Sequence, residues 1–111
     1  MNIVVMAKGA GLGAWVDDDF AHARQIVLVK DSGGFEAAAN PFASSVGAEN
    51  SAKLAQFILS EFRDIGAVVA GAFDEDAKAN LQEKEISMFI AAKGSVMELA
   101  EAARAGSLTR A

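Results

Sequence analysis

The chain has 111 residues, of which 52% are hydrophobic, carries a net charge of −5 and has no cysteine. It is long enough for one domain with a real core, too apolar to be disordered, and without an apolar run that approaches a membrane span. The missing cysteine excludes disulfides, thiolate-bound zinc or iron–sulfur centres and a cysteine nucleophile, and the acidic balance argues against nucleic acid or an anionic membrane as partner.

The N-terminus enters an apolar run at residues 3–7 with no basic region or cleavage motif, so no signal peptide and a cytoplasmic location are expected. That run reads as a central strand. Three glycines follow in Lys8-Gly9-Ala10-Gly11-Leu12-Gly13, and then an acidic triplet, Asp17-Asp18-Asp19. Residues 25–30 form a second strand. The turn signal Asp31-Ser32-Gly33-Gly34 returns the chain as residues 35–39, an alanine-rich edge strand that Asn40-Pro41 terminates.

The organising stretch runs from Ala48 to Gly71. Leu54, Phe57, Ile58, Phe62 and Ile65 recur at helical spacing, Gly66 stands where a helix takes a left-handed C-terminal residue, and residues 67–71 follow as a buried strand. Asp74 is the expected N-cap of a short helix ending near Lys84. Residues 86–91 form the fifth strand, and Lys93-Gly94 turns the chain. Ser95 with Glu98 makes a capping box for a last helix that Gly106 stops, and the tail beyond is expected to fray.

Three groups of residues suggest chemistry. Gly9, Gly11 and Ala14 fit the dinucleotide fingerprint G-x-G-x-x-A, with Asp31 at the ribose-binding distance. That fingerprint also needs a helix directly after the glycines, which the three aspartates oppose, and a second mononucleotide half for which there is no room. The acidic triplet reads as a solvated loop with a capping aspartate, because adjacent loop carboxylates point apart and two-metal chemistry needs them fixed together. His22 is the only histidine and the best borderline metal ligand available.

In order, these motifs resemble the dinitrogenase iron–molybdenum cofactor biosynthesis family, the group of NifX and the C-terminal part of NifB. The resemblance spans residues 1–108. It rests on the first strand with its glycine loop, Asp19-Phe20-Ala21-His22-Ala23 at a Phe-Gly-Arg-Ala-like motif, Asn40-Pro41, and Gly47 at a helix start. It continues through residues 65–71, Leu81, Lys93-Gly94 and Gly106-Ser107-Leu108. Ala21 replaces the usual glycine, His22 the frequent arginine, and Asp19 a histidine common in nitrogenase-associated members. The resemblance implies a ribonuclease H-like α/β fold. It also implies non-enzymatic binding, carriage or scaffolding of a metal–sulfide cluster, either iron–molybdenum–sulfur or, as in orange-protein-like members, molybdenum–copper sulfide held non-covalently.

The expected structure is therefore a single α/β domain over residues 1–111, with three helices and a mixed five-stranded sheet in order 3-2-1-4-5. Strands 1, 4 and 5 should run parallel, since helical crossovers join them. Ligands of such sheets bind beyond the strand C-termini. Lys8, Gly9, Gly11, Gly13, His22, Arg24, Gly71 and Lys93 are accordingly the expected cluster-binding residues, with His22 as the metal ligand. The expected partners are the cluster and proteins that deliver or receive it. The alternatives are a nucleotide-binding module built on the Gly9-Gly11-Ala14 loop, or a family member that binds no cluster and acts through protein contacts.

Overall fold

The computed structural model describes residues 1–44 and 49–111. Strand β1 (Asn2–Ala7) lies at the centre of a six-stranded sheet. It is flanked by β2 (Gln25–Val29) and β4 (Ile65–Ala70), with β3 (Phe35–Ala39) outside β2 and β5 (Ser87–Ile90) and β6 (Thr109–Arg110) outside β4. The spatial order β3-β2-β1-β4-β5-β6 contains the expected 3-2-1-4-5 and adds one strand. β1, β4 and β5 run parallel, whereas β1–β2, β2–β3 and β5–β6 are antiparallel. This is the ribonuclease H-like arrangement.

The unbroken apolar runs belong to strands covered on both faces. Val4, Val5, Val68 and Val69 are fully buried. Side chains alternate along a strand, so Val4 and Val68 enter one core layer and Val5 and Val69 the other. Helices α1 (Asn50–Glu61) and α2 (Glu75–Glu83) cover the first face through Leu54, Ile58 and Leu81. Helix α3 (Val96–Ala105) covers the second through Val96, Leu99 and Ala100. The caps follow the sequence closely. Asp74 accepts from the Ala77 amide, Ser95 and Glu98 close a capping box, and Gly106 takes a left-handed φ of 72°.

Two expectations are corrected. α1 ends at Glu61, and Gly66 is the second residue of β4 rather than a helix cap. The left-handed residue is Asp64, at φ 55°. A Cβ at Gly66 would meet only the Met1 thioether, the far end of an exposed and flexible side chain that can move aside. The tail does not fray. Thr109 and Arg110 pair with Ile90 and Phe89, and the Arg110 guanidinium lies 5.4 Å from the Phe89 ring centroid. The strand bounds also shift slightly, with β4 beginning at Ile65 and Gly71 falling just beyond it. The expected helix start at Gly47 and Ala48 lies outside the described residues.

Candidate functional site

The parallel strands β1, β4 and β5 deliver Lys8, Gly71 and Lys93 to one edge of the sheet. Antiparallel β2 begins beside them, with Gln25 paired to Ala7, and so brings Arg24 to the same edge. The segment 8–24 links β1 to β2 across this edge. Its two halves belong to opposite faces. Leu12, Ala14 and Val16 pack on the α3 side, and Phe20 and Ala23 on the side of α1 and α2.

The first half is the glycine loop. Trp15 and Val16 return beside the strand, where Val16 bridges Ala7 and Trp15 bridges Ser95. The Lys8 amide donates to the Trp15 carbonyl at 2.9 Å, and the Ala14 amide to that of Gly11 at 3.1 Å. Among the described residues nothing accepts from the amides of Gly9, Ala10, Gly11, Leu12 or Gly13. The carbonyls of this loop do have a use. Those of Ala14 and Leu12 accept from Val96 and Met97 at 2.8 and 3.0 Å, the Ser95 hydroxyl accepts from the Glu98 amide, and the Glu98 carboxylate accepts from the Ser95 amide. All four free donors of the α3 first turn are thereby engaged, and that helix end offers none to a ligand. The Ser95 hydroxyl, and then its amide, hold the Glu98 carboxyl below the ordinary glutamate value.

The glycines themselves are not required by the fold at every position. Gly9 is tight, because a Cβ would stand 3.3 Å from that of Ala14. At Gly11 and Gly13 a Cβ would meet nothing within 4 Å, and neither residue has a positive φ. Lys8 precedes the loop in sequence, Lys93 follows β5 at the same sheet edge, and Arg24 immediately precedes β2. All three are exposed, and none pairs with a carboxylate among the described residues.

The second half, from Asp17 to Arg24, is held on all sides. Asp17, only 9% exposed, donates its amide to Met6 and accepts from the Gly71 amide at 3.1 Å. Its carboxylate accepts from the amides of Asp18 and Arg24. Gly71 is glycine because its α-carbon lies against this crossing; a Cβ would fall 2.7 Å from the Asp17 carbonyl oxygen and closer still to that of Asp18. Buried Asn40 donates its side-chain amide to the carbonyls of Ala21 and Ala23 and accepts from the Phe42 amide. Asp19 accepts from the His22 amide at 2.7 Å, and its second oxygen lies 3.3 Å from His22 Nδ1.

His22 is half exposed and lines a cavity of about 330 Å3 with Asn50, Ser51, Asp74, Glu75 and Asp76. The structure thus gathers all eight expected residues along one edge but divides them by surroundings. Lys8, Lys93 and the glycines lie by the α3 end, whereas His22 lies among carboxylates by the α2 end. No cluster of three or more histidine or carboxylate ligands forms among the described residues. Asp17 and Asn40 were missed as positioning residues. Asparagine before proline did carry a signal, because its side chain readily closes a turn onto the amide two residues on.

The dinucleotide arrangement does not form. The glycine loop leads into bridging residues, no helix lies between β1 and β2, and the nearby helix end is already engaged.

The sequence matches the dinitrogenase iron–molybdenum cofactor family over residues 1–106. The chain belongs to that family. Among solved structures it is similar to the apo form of the orange protein from Desulfovibrio gigas, with a TM-score of 0.88 and 23% identity over 99% of this chain and 92% of that one. It is also similar to a NifB-like protein from Thermotoga, with a TM-score of 0.81 and 23% identity over 98% and 91% of the two chains. At these identities the likeness establishes the fold. No curated protein matches the sequence.

Proposed function

We propose that this family member carries an anionic metal–sulfide cluster as non-covalent cargo, without catalysing a reaction on it. The observation that carries the reading is the run of amides from Gly9 to Gly13, unengaged among the described residues, at the C-terminal end of the central strand, next to Lys8 and Lys93, which pair with no carboxylate among those residues. Backbone N–H groups left free over five successive residues, with flexible point charges beside them, suit a compact anion that presents sulfide on every side. Such recognition needs no cysteine. It also accounts for glycine at positions 11 and 13, where bare backbone lets a large anion approach closely.

In this reading Arg24 and His22 close the far end of the cradle, and Gly71, whose amide and α-carbon are taken up by the Asp17–Asp18 crossing, serves by letting that crossing pack. His22 either ligates a metal or, when protonated, donates to a bridging sulfide. The cargo is an iron–molybdenum–sulfur or molybdenum–copper sulfide cluster, and the partners are the proteins that deliver and receive it.

The test is reconstitution with tetrathiomolybdate and copper, followed by gel filtration and visible absorption. The parent should leave the column coloured, and the Lys8→Ala/Lys93→Ala double variant should lose most of that colour. His22→Ala should lose part of it, and Lys53→Ala on α1 should lose none. A parent that leaves the column colourless contradicts cargo binding and favours the reading in which the chain acts through protein contacts alone.

A further inference from the structure

Among the described residues the outer side of β3 is a free sheet edge. Two hydrogen bonds bracket its pairing with β2. Lys30 donates to the Gly34 carbonyl at 2.8 Å, and Asn40 donates to the Arg24 carbonyl at 3.1 Å. Between them the register runs without a bulge from Val29↔Phe35 to Gln25↔Ala39. Antiparallel pairs alternate between bonded and non-bonded, so the even-numbered residues 34, 36, 38 and 40 bond to β2. Phe35, Ala37 and Ala39 therefore turn their N–H and C=O groups outward, and no strand among the described residues receives them.

Most devices that normally blunt such an edge are missing. The strand carries no proline, no lysine and no bulge, and Pro41 stands beyond the last outward-facing residue. Four of its five side chains are exposed, including Phe35 at 44%.

We propose that β3 pairs with β3 of a second copy of this chain, antiparallel, about a two-fold axis at Ala37. In that register Ala37 faces the partner's Ala37, and Phe35 faces the partner's Ala39. All three outward-facing residues of each copy then meet outward-facing residues, each facing pair exchanging two backbone hydrogen bonds. The side chains agree with this register. Glu36 is the only charge on the strand and faces the partner's Ala38, so like charges are not opposed. Glu36 is also already paired with Lys30 Nζ at 2.8 Å. Phe35 packs beside a small residue on the α3 side of the sheet, and alanines elsewhere leave nothing to clash. A surface that complements itself in backbone pattern, charge and size favours an isologous dimer over a strand from another protein.

The two sheets become one. Because the pairing is antiparallel, the glycine-loop edges of the two copies point to opposite ends and both stay open. The dimer therefore stands or falls separately from cargo binding.

Sedimentation equilibrium over a wide concentration range tests this. The parent should rise from the mass of one chain to that of two. Ala37→Pro removes only an outward amide and should stay at one chain. Ala37→Lys alone and Ala37→Glu alone should also stay at one chain, because each opposes like charges at the axis, and an equal mixture of the two should dimerise. The mixture also covers the case in which the proline variant does not fold. A parent that is monomeric at millimolar concentration overturns the proposal and leaves the edge to another protein's strand or to water. A dimer that survives Ala37→Pro, or a charge mixture that stays monomeric, overturns it equally.

Discussion

The two halves of the segment 8–24 cross the same sheet edge, yet the fold treats them in opposite ways. From Asp17 to Arg24, residues that look chemical in a sequence are occupied by structure. Asp17 ties Met6, Gly71 and Arg24 together, Asp19 closes the turn at His22, and Asn40 holds the carbonyls on either side of His22. From Gly9 to Gly13, residues that look like mere loop keep their amides unengaged. Polar side chains attract functional readings because they can react, but a buried one is usually satisfying the backbone. Donors that the fold leaves unused are the better guide to a ligand.

This contrast can be broken by substitution. The largest effect should come from Gly71→Ala, which forces a Cβ into the carbonyls of Asp17 and Asp18. Backbone cannot give way there as a flexible side chain could, so a loss of about 3 kcal/mol in urea unfolding is expected. Asn40→Ala should follow at about 2 kcal/mol, because it leaves two buried carbonyls and the Phe42 amide without their partner. If either variant were as stable as the parent, the Asp17–Arg24 half would not be the fixed one.

Gly11→Ala and Gly13→Ala should do the reverse. With open space at the Cβ position and no positive φ, each should leave stability unchanged or raise it by up to about 1 kcal/mol, through a less flexible unfolded chain. Each should also weaken retention of a reconstituted cluster. Loss of stability at either position would mean that the loop is held for structure after all.

The smallest effect is electrostatic. Glu98 has its carboxyl lowered by Ser95, so its contribution is present above the unfolded-state value and is lost as pH falls through the lower folded value. Glu98→Gln should flatten only that acid limb of the stability profile. The carboxyl is fully exposed, so the change should be slight, and an unaltered acid limb would remove Glu98 from the cap.

The fold was legible where burial dictates sequence. Val4, Val5, Val68 and Val69 announce a strand covered on both faces, and Asp74, Ser95 and Gly106 announce helix ends, because each motif follows from local chemistry. Gly66 misled because a glycine just after an apolar helical face looks like a left-handed helix end, whereas it is the second residue of β4 and has no positive φ. Strand β6 was invisible because two residues carry no periodicity; its pairing depends on the position of β5. The edge that gathers the candidate residues was legible from the crossover rule. The division along it was not, since only tertiary structure shows that Asp17, Asp19 and Asn40 claim the His22 half.

The central claim is that the unengaged amides of the glycine loop receive the cargo. It is tested most directly by following backbone amide chemical shifts while tetrathiomolybdate and copper(I) are titrated into the 15N-labelled protein. The largest shifts should fall on Gly9, Ala10, Gly11, Leu12 and Gly13, with Lys8 and Lys93 next, while the engaged amides of Asp17, Gly71, Val96 and Met97 move little. Loop amides that stay in place while others shift, or a spectrum that does not change at all, would contradict it.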